Sequence, residues 1–137
     1  MTSTVTYNGE LRTTCTHLRS GSDIETDAPV DNNGKGERFS PTDLMATSLA
    51  TCMVTVMGIK ARSMGFDLEG IRVDVEKVMK ADPRRVSGIH LAYHIPEQLK
   101  NLDPRSRDIL KQTAHTCPVA QSIHPDIEVQ VNWGDWS

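Results

Sequence analysis

Aromatic side chains are scarce, with two each of Phe, Trp and Tyr making up 4% of the 137 residues. A core must therefore be built from aliphatic side chains, methionine and alanine, and few rings remain on which bases could stack. A basic excess is also lacking. Fifteen Lys and Arg face eighteen Asp and Glu, for a net charge of −3, so the chain has no electrostatic footprint for nucleic acid. The opening MTSTVTYNGE has neither the basic segment nor the apolar stretch of a secretory signal. The one charge-free run, residues 44–59, is shorter than the roughly 20 residues a spanning helix needs and carries Thr47, Ser48, Thr51 and Thr55. No membrane association is expected. Three cysteines, an odd number set far apart, make no disulfide framework. In a reducing cytosol such thiols are inert, metal-bound or catalytic, and the cytoplasm is the expected compartment.

What is present fits one domain spanning residues 1–137, a size that buries roughly two-thirds of the unfolded surface. VTYNGELRTTCTHL reads as a hairpin with Asn8-Gly9 as its turn, because a type I′ turn needs positive φ at both central residues. IETD is a candidate third strand. APVDNNGKGERFS is a long loop of the kind that often carries function. Ile71, Val73 and Val75 alternate with charged residues, as do Ile89, Leu91, Tyr93 and Ile95 with His90 and His94, which predicts a second hairpin. Asp103 and Pro104 open a helix, and IEVQVNW closes the chain as a strand. Three strands, a helix, two strands, a helix and a strand make an α+β domain.

The first helix is the unusual element. Ser40 is an N-cap, Pro41 the first helical residue and Asp43 the N3 carboxylate. The helix is predicted to run to about Ser63, stopped by Gly65. It is apolar all round, which predicts burial on every side. A chain this small rarely encloses five turns, so a second copy is expected to cover part of it as an obligate homodimer. Cys52 sits in the middle of this helix, and free cysteine often serves there as a small buried hydrophobe. Cys117 precedes Pro118, which places it at or beside a helix N-cap. There the free N–H groups are expected to lower its pKa.

FSPTDLMATSLATCMVTVM followed by TCPVAQSI resembles the OsmC/Ohr superfamily, whose helix opens with [S/N]-P-x-[D/E]-L and bears a cysteine nine residues after the acidic position. DAPVDNNGKG and YNGELR share the likeness, which covers essentially the whole chain and lies nearer the OsmC-like branch than the hydroperoxide-resistance branch. The resemblance implies an OsmC-like fold: antiparallel sheet, a long buried central helix, and an intertwined homodimer with two sites at its interface. It implies that Cys52 is the peroxidatic cysteine attacking an organic hydroperoxide and that Cys117 is the resolving cysteine forming a disulfide with it. An external dithiol such as a protein-bound lipoyl group would then reduce that disulfide. It also implies an arginine that holds Cys52 as thiolate against the cost of burial. Arg12 is the best positional match, ahead of Arg19 and Arg38. No cofactor or resident metal is implied. The hydroperoxide-resistance branch has a glutamate directly after the motif's proline, and this chain has Thr42 there, followed by Asp43. Asp43 is carried as a catalytic candidate, although on a straight helix it points about 180° from Cys52 and lies roughly 13 Å along the axis. Its other reading is a capping carboxylate. Glu10 and Glu37 are further candidates for the carboxylate.

Two other functional classes are open. Cys15-x-His17 and His115-x-Cys117 offer four N/S ligands for zinc, at a spacing shorter than structural zinc motifs use. A dimer whose interface pocket holds a small apolar or thiol-reactive ligand, without turnover, is the non-enzymatic alternative.

Overall fold

A computed structural model describes residues 1–137. Strand β1 (Ser3–Gly9) turns back into β2 (Arg12–His17). The turn lies two residues later than Asn8-Gly9: Gly9 pairs with Arg12 across a register shift, and the positive φ values fall on Glu10 (55°) and Leu11 (62°). The cross-strand pairing of Tyr7 with Thr13 sets this register, with Gly9 (φ 82°) absorbing the bulge. Leu11 therefore belongs to the turn and not to the face of β2. Strand β3 (Asp23–Asp27) adds antiparallel to β2, giving a three-stranded sheet in the order β1-β2-β3.

The loop after β3 winds tightly on Ala28. Gly36 N–H donates to the Ala28 carbonyl at 3.2 Å and Gly34 N–H to Pro29 at 3.0 Å. A Cβ at Gly34 would sit 1.8 Å from the Ala28 oxygen, so only glycine fits there. This winding returns Glu37 to the end of β3.

Helix α1 (Pro41–Ser63) has the expected limits. The Asp43 carboxylate accepts from Ser40 N–H at 2.9 Å, and the Ser40 hydroxyl accepts from Asp43 N–H at 3.0 Å, which is a reciprocal capping box. Gly65 (φ 91°) ends the helix. At 23 residues, α1 is long and apolar enough to cross a membrane, unlike the shorter charge-free run within it. The structure gives it another use. Ala46, Leu49, Ala50, Met53, Met57 and Ala61 form a buried stripe of core residues. The expected burial on all sides is not met within one chain, since Thr51, Thr55 and Ile59 are exposed, Ile59 by 66%.

Strands β4 (Arg72–Lys80) and β5 (Arg85–His94) form the second hairpin. Helix α2 (Pro104–His115) is capped by Asp103, which accepts from Ser106 N–H at 2.9 Å, and a short helix α3 (Pro118–Ser122) follows at once. Strand β6 (Glu128–Asn132) lies parallel to β5, so the second sheet, in the order β4-β5-β6, is mixed where the sequence suggested antiparallel pairing. The passage through α2 and α3 is long enough to return the chain in parallel. Single turns of 3₁₀ helix occur at Val30–Asn32, Glu97–Leu99 and Gly134–Trp136.

The chain divides into two compact units, residues 1–45 and 46–137. The second has an aliphatic and methionine core of Leu49, Met53, Met57, Ile89, Leu91 and Leu110, closed by Trp136. The Trp136 indole donates to the Leu99 carbonyl at 3.0 Å, and Lys111 Nζ donates to the Trp136 carbonyl.

Candidate functional site

Two residue clusters carry chemistry, one in each unit. In residues 46–137, Cys52 projects from α1 and Cys117 stands at the start of α3. The burial order differs from expectation. Cys117 is wholly buried, whereas Cys52 is only partly so. Cys52 lies about 100° around the helix from Met53, to one side of the buried stripe.

Cys117 is the N-cap of α3, with Pro118 as the first helical residue. Its Sγ accepts from Ala120 N–H at 3.3 Å. The sequence suggested a lowered thiol pKa at this position, and the structure reverses that sign. Burial pushes the Cys117 thiol up, the Ala120 N–H opposes it, and hydrogen bonding and charge from Cys52 push it up again. Desolvation of an enclosed sulfur outweighs the backbone N–H groups of Ala120 and Val119 at the start of a helix of little more than a turn. Cys52 is thus among the groups that act on the Cys117 thiol, although 64 residues separate them in the chain.

In residues 1–45, Arg12 opens β2 and forks onto Asp27 at the end of β3, its cross-strand partner. Nε donates to Oδ1 at 2.7 Å and Nη2 to Oδ2 at 2.8 Å, and Nη2 also donates to Glu37 Oε2 at 2.9 Å. Glu37 N–H donates to Asp27 Oδ2 at 3.1 Å. Asp27 is 1% exposed. The Arg12 guanidinium holds the Asp27 carboxyl below its ordinary pKa against the opposing effect of burial, and Asp27 and Glu37 in turn raise that of Arg12. The bonds to Asp27 and Glu37 run through Nε and Nη2.

Of the other candidates, Asp43 is engaged in the capping box, Glu10 pairs with Lys35 at 3.3 Å, and Arg38 pairs with Glu25 at 2.8 Å. Arg19 is exposed. Asp27 was missed by sequence reading. The one available signal was its place at the end of β3, directly before the long loop. No group of three or more His, Cys, Asp and Glu side chains is disposed to hold a metal ion. His17 bonds to Ser20 at 2.7 Å, while His115 lies edge-on to Trp133. His90 and His94 pair with Glu76 at 3.3 Å and Asp74 at 2.6 Å on one face of the second sheet.

A candidate osmotic-stress-induced and detoxification-response protein from Psychrobacter arcticus is 57% identical to this chain. It matches 96% of this chain and 94% of its own with a TM-score of 0.91. The organic hydroperoxide resistance protein OsmC of Legionella pneumophila shares the fold at 20% identity, covering 96% of each chain with a TM-score of 0.72. OhrB of Bacillus subtilis, an organic hydroperoxide resistance protein, does so at 19% identity, covering 96% of this chain and 97% of its own, TM-score 0.63. No curated protein sequence matches. Residues 34–132 match the family described as OsmC-like protein, and with the Psychrobacter relative across nearly the whole length, the chain belongs to the OsmC-like family.

Proposed function

We propose that this chain is a cytoplasmic, cysteine-dependent reductase of organic hydroperoxides that protects against oxidative stress. What supports it most is that Cys52 acts on the Cys117 thiol across 64 residues of chain, in a chain of the OsmC-like family. The Cys52 thiolate attacks the terminal oxygen of R–O–OH. The O–O bond breaks, ROH leaves after taking up a proton, and Cys52 is oxidised to sulfenic acid. Cys117 then condenses with it: the S–S bond forms, the S–OH bond breaks, and water departs with the Cys117 proton. An external dithiol, for which a protein-bound lipoyl group fits, exchanges with the disulfide and restores both thiols.

Arg12 is assigned to stabilise the Cys52 thiolate. Asp27 and Glu37 fix its guanidinium, in a chain where Thr42 stands in place of the hydroperoxide-resistance branch's glutamate. Asp43 is assigned to capping. Both units are taken as one OsmC-like domain, working as a homodimer. In support, α1 and β4 leave a groove of about 360 Å³ walled by Ala50, Val54, Ile71 and Val73, and Val5, Tyr7 and Ile24 are more than half exposed on the first sheet. A second copy of the chain is the occupant proposed for these surfaces.

The test is consumption of cumene hydroperoxide and tert-butyl hydroperoxide with dihydrolipoamide as reductant. Turnover that vanishes in Cys52→Ser supports the enzyme. An inactive wild-type protein with all thiols free overturns it in favour of the ligand-holding dimer, a reading favoured by the weak acidity of Cys117.

A further inference from the structure

Tyr93 on β5 is 2% exposed, and its hydroxyl is a buried polar atom without a hydrogen-bond partner. Such groups are rare, because a buried hydroxyl left unpaired forfeits the hydrogen bonds that water gave it. Its ring is firmly held. It packs on Trp133 with centroids 4.5 Å apart and planes tilted by 34°, and Trp133 in turn meets His115 at 6.1 Å. Gly134 (φ 57°) passes so close that a Cβ there would lie 2.4 Å from the Tyr93 carbonyl oxygen, which fixes Trp133 beside the ring. Burial, and after it the charge of Cys117, two residues beyond His115, keep the phenol protonated.

We propose that Tyr93 is a positioning residue for the resolving step, its hydroxyl donating to the Cys117 sulfur, directly or through one water, once that sulfur is a thiolate. This rests on the Cys52–Cys117 pairing proposed above. In the thiol state the sulfur already has Ala120 N–H and the Cys52 thiol beside it. Ionisation creates a full negative charge in an enclosed space served by the backbone N–H groups of Ala120 and Val119, and the phenol is the buried side-chain donor left without a partner. The ionisable group acting on Cys117 is Cys52 from α1, and Cys117 acts in turn on Tyr93 of β5. His115 at the end of α2 turns its ring to Trp133.

A disulfide reagent reads this step without any peroxide. In a Cys15→Ser background, 5,5′-dithiobis(2-nitrobenzoate) exchanges with the more accessible Cys52, releasing one thionitrobenzoate and leaving a mixed disulfide. The Cys117 thiolate then displaces the second thionitrobenzoate and closes the Cys52–Cys117 bond. The pH midpoint of this second phase reports Cys117 ionisation. Tyr93→Phe keeps the ring packing and removes only the orphan hydroxyl, so its melting temperature is expected to equal or exceed that of the parent. Its second phase should shift up by about one pH unit and slow about tenfold at pH 7, the size of a lost hydrogen bond to a charged group. The chain has two tyrosines, so 3-fluorotyrosine in a Tyr7→Phe background alters Tyr93 alone. A more acidic phenol donates more strongly and should lower the midpoint.

An unchanged second-phase profile in Tyr93→Phe overturns the assignment and leaves the thiol pairing intact. Absence of a second phase in the parent overturns both. Two phases, the second of them dependent on Tyr93, in a protein inert to hydroperoxides support this assignment and remove the peroxidase reading alone.

Discussion

Arg12 and Asp27 meet as a two-pronged pair, Nε to Oδ1 at 2.7 Å and Nη2 to Oδ2 at 2.8 Å, with the carboxylate buried and the guanidinium partly open. A bidentate pair fixes the plane of the arginine as well as its position. Asp27→Asn keeps the volume but replaces one acceptor oxygen with a donor amide facing the guanidinium. Because Arg12 holds the Asp27 pKa below its ordinary value, the pair contributes stability above about pH 4, lost as pH falls through the lower folded-state value. Thermal melts from pH 7 to pH 2 should show the wild type well above Asp27→Asn at neutral pH, with the gap closing in acid. A gap independent of pH would mean that the carboxylate charge is not what holds the pair.

Asp43 separates a capping role from a catalytic one. Its carboxylate is bonded to Ser40 N–H at 2.9 Å, and nine residues of helix turn it away from Cys52. Asp43→Ala and Ser40→Ala should each cost about 1 kcal/mol in denaturant unfolding, and the double variant less than the sum because the two bonds form one box. Asp43→Ala should leave the peroxide-dependent oxidation rate of Cys52 within about twofold of the parent, within the scatter of a small structural effect. A loss of a hundredfold at unchanged stability would return Asp43 to the reaction.

Both helix starts that matter here were legible from three-residue patterns. Ser40, Pro41 and Asp43 define one, and Asp103 and Pro104 the other, because caps are local chemistry. The Cys117-Pro118 start was equally legible, but the sign of its pKa shift was not, since burial comes from residues far away in sequence. The hairpin turn was misplaced for a similar reason. Asn8-Gly9 is a strong local signal, yet the pairing of Tyr7 with Thr13 moved the turn to Glu10 and Leu11 and used Gly9 as a bulge. Asp27 and Tyr93 have no local signature at all. One is defined by a partner across the sheet and the other by a missing partner. Site residues that act by position leave no motif.

The C-terminal turn should be worth more than its length suggests. Trp136 is 1% exposed, its indole N–H is bonded to Leu99, and its carbonyl accepts from Lys111. Trp136→Ala opens a core cavity and strands the Leu99 carbonyl, so a loss of about 3–5 kcal/mol is expected. Trp136→Phe restores most of the volume without the donor and should recover more than half of that loss. Urea unfolding of the three proteins measures both. If Trp136→Ala loses less than about 1 kcal/mol, a surface-like value, the turn is not part of the core.

The two cysteines should fail in different ways. Cys52→Ser removes the nucleophile, and single-turnover mixing with cumene hydroperoxide should then show no oxidation beyond the background of Cys15. Cys117→Ser leaves the first step intact. The sulfenic acid on Cys52 should persist, trapped by dimedone at one adduct per chain, because no thiol condenses with it. In the wild-type protein the burial that raises the Cys117 pKa makes its thiolate the minor form at neutral pH. The condensation rate should therefore climb with pH through and beyond about 8.5, the ordinary thiol value, while dimedone capture falls over the same range. A condensation rate flat from pH 6 to pH 9 would mean that Cys117 is already ionised at neutrality. The enclosed sulfur would then owe its reactivity to something other than the balance of burial against the Ala120 N–H.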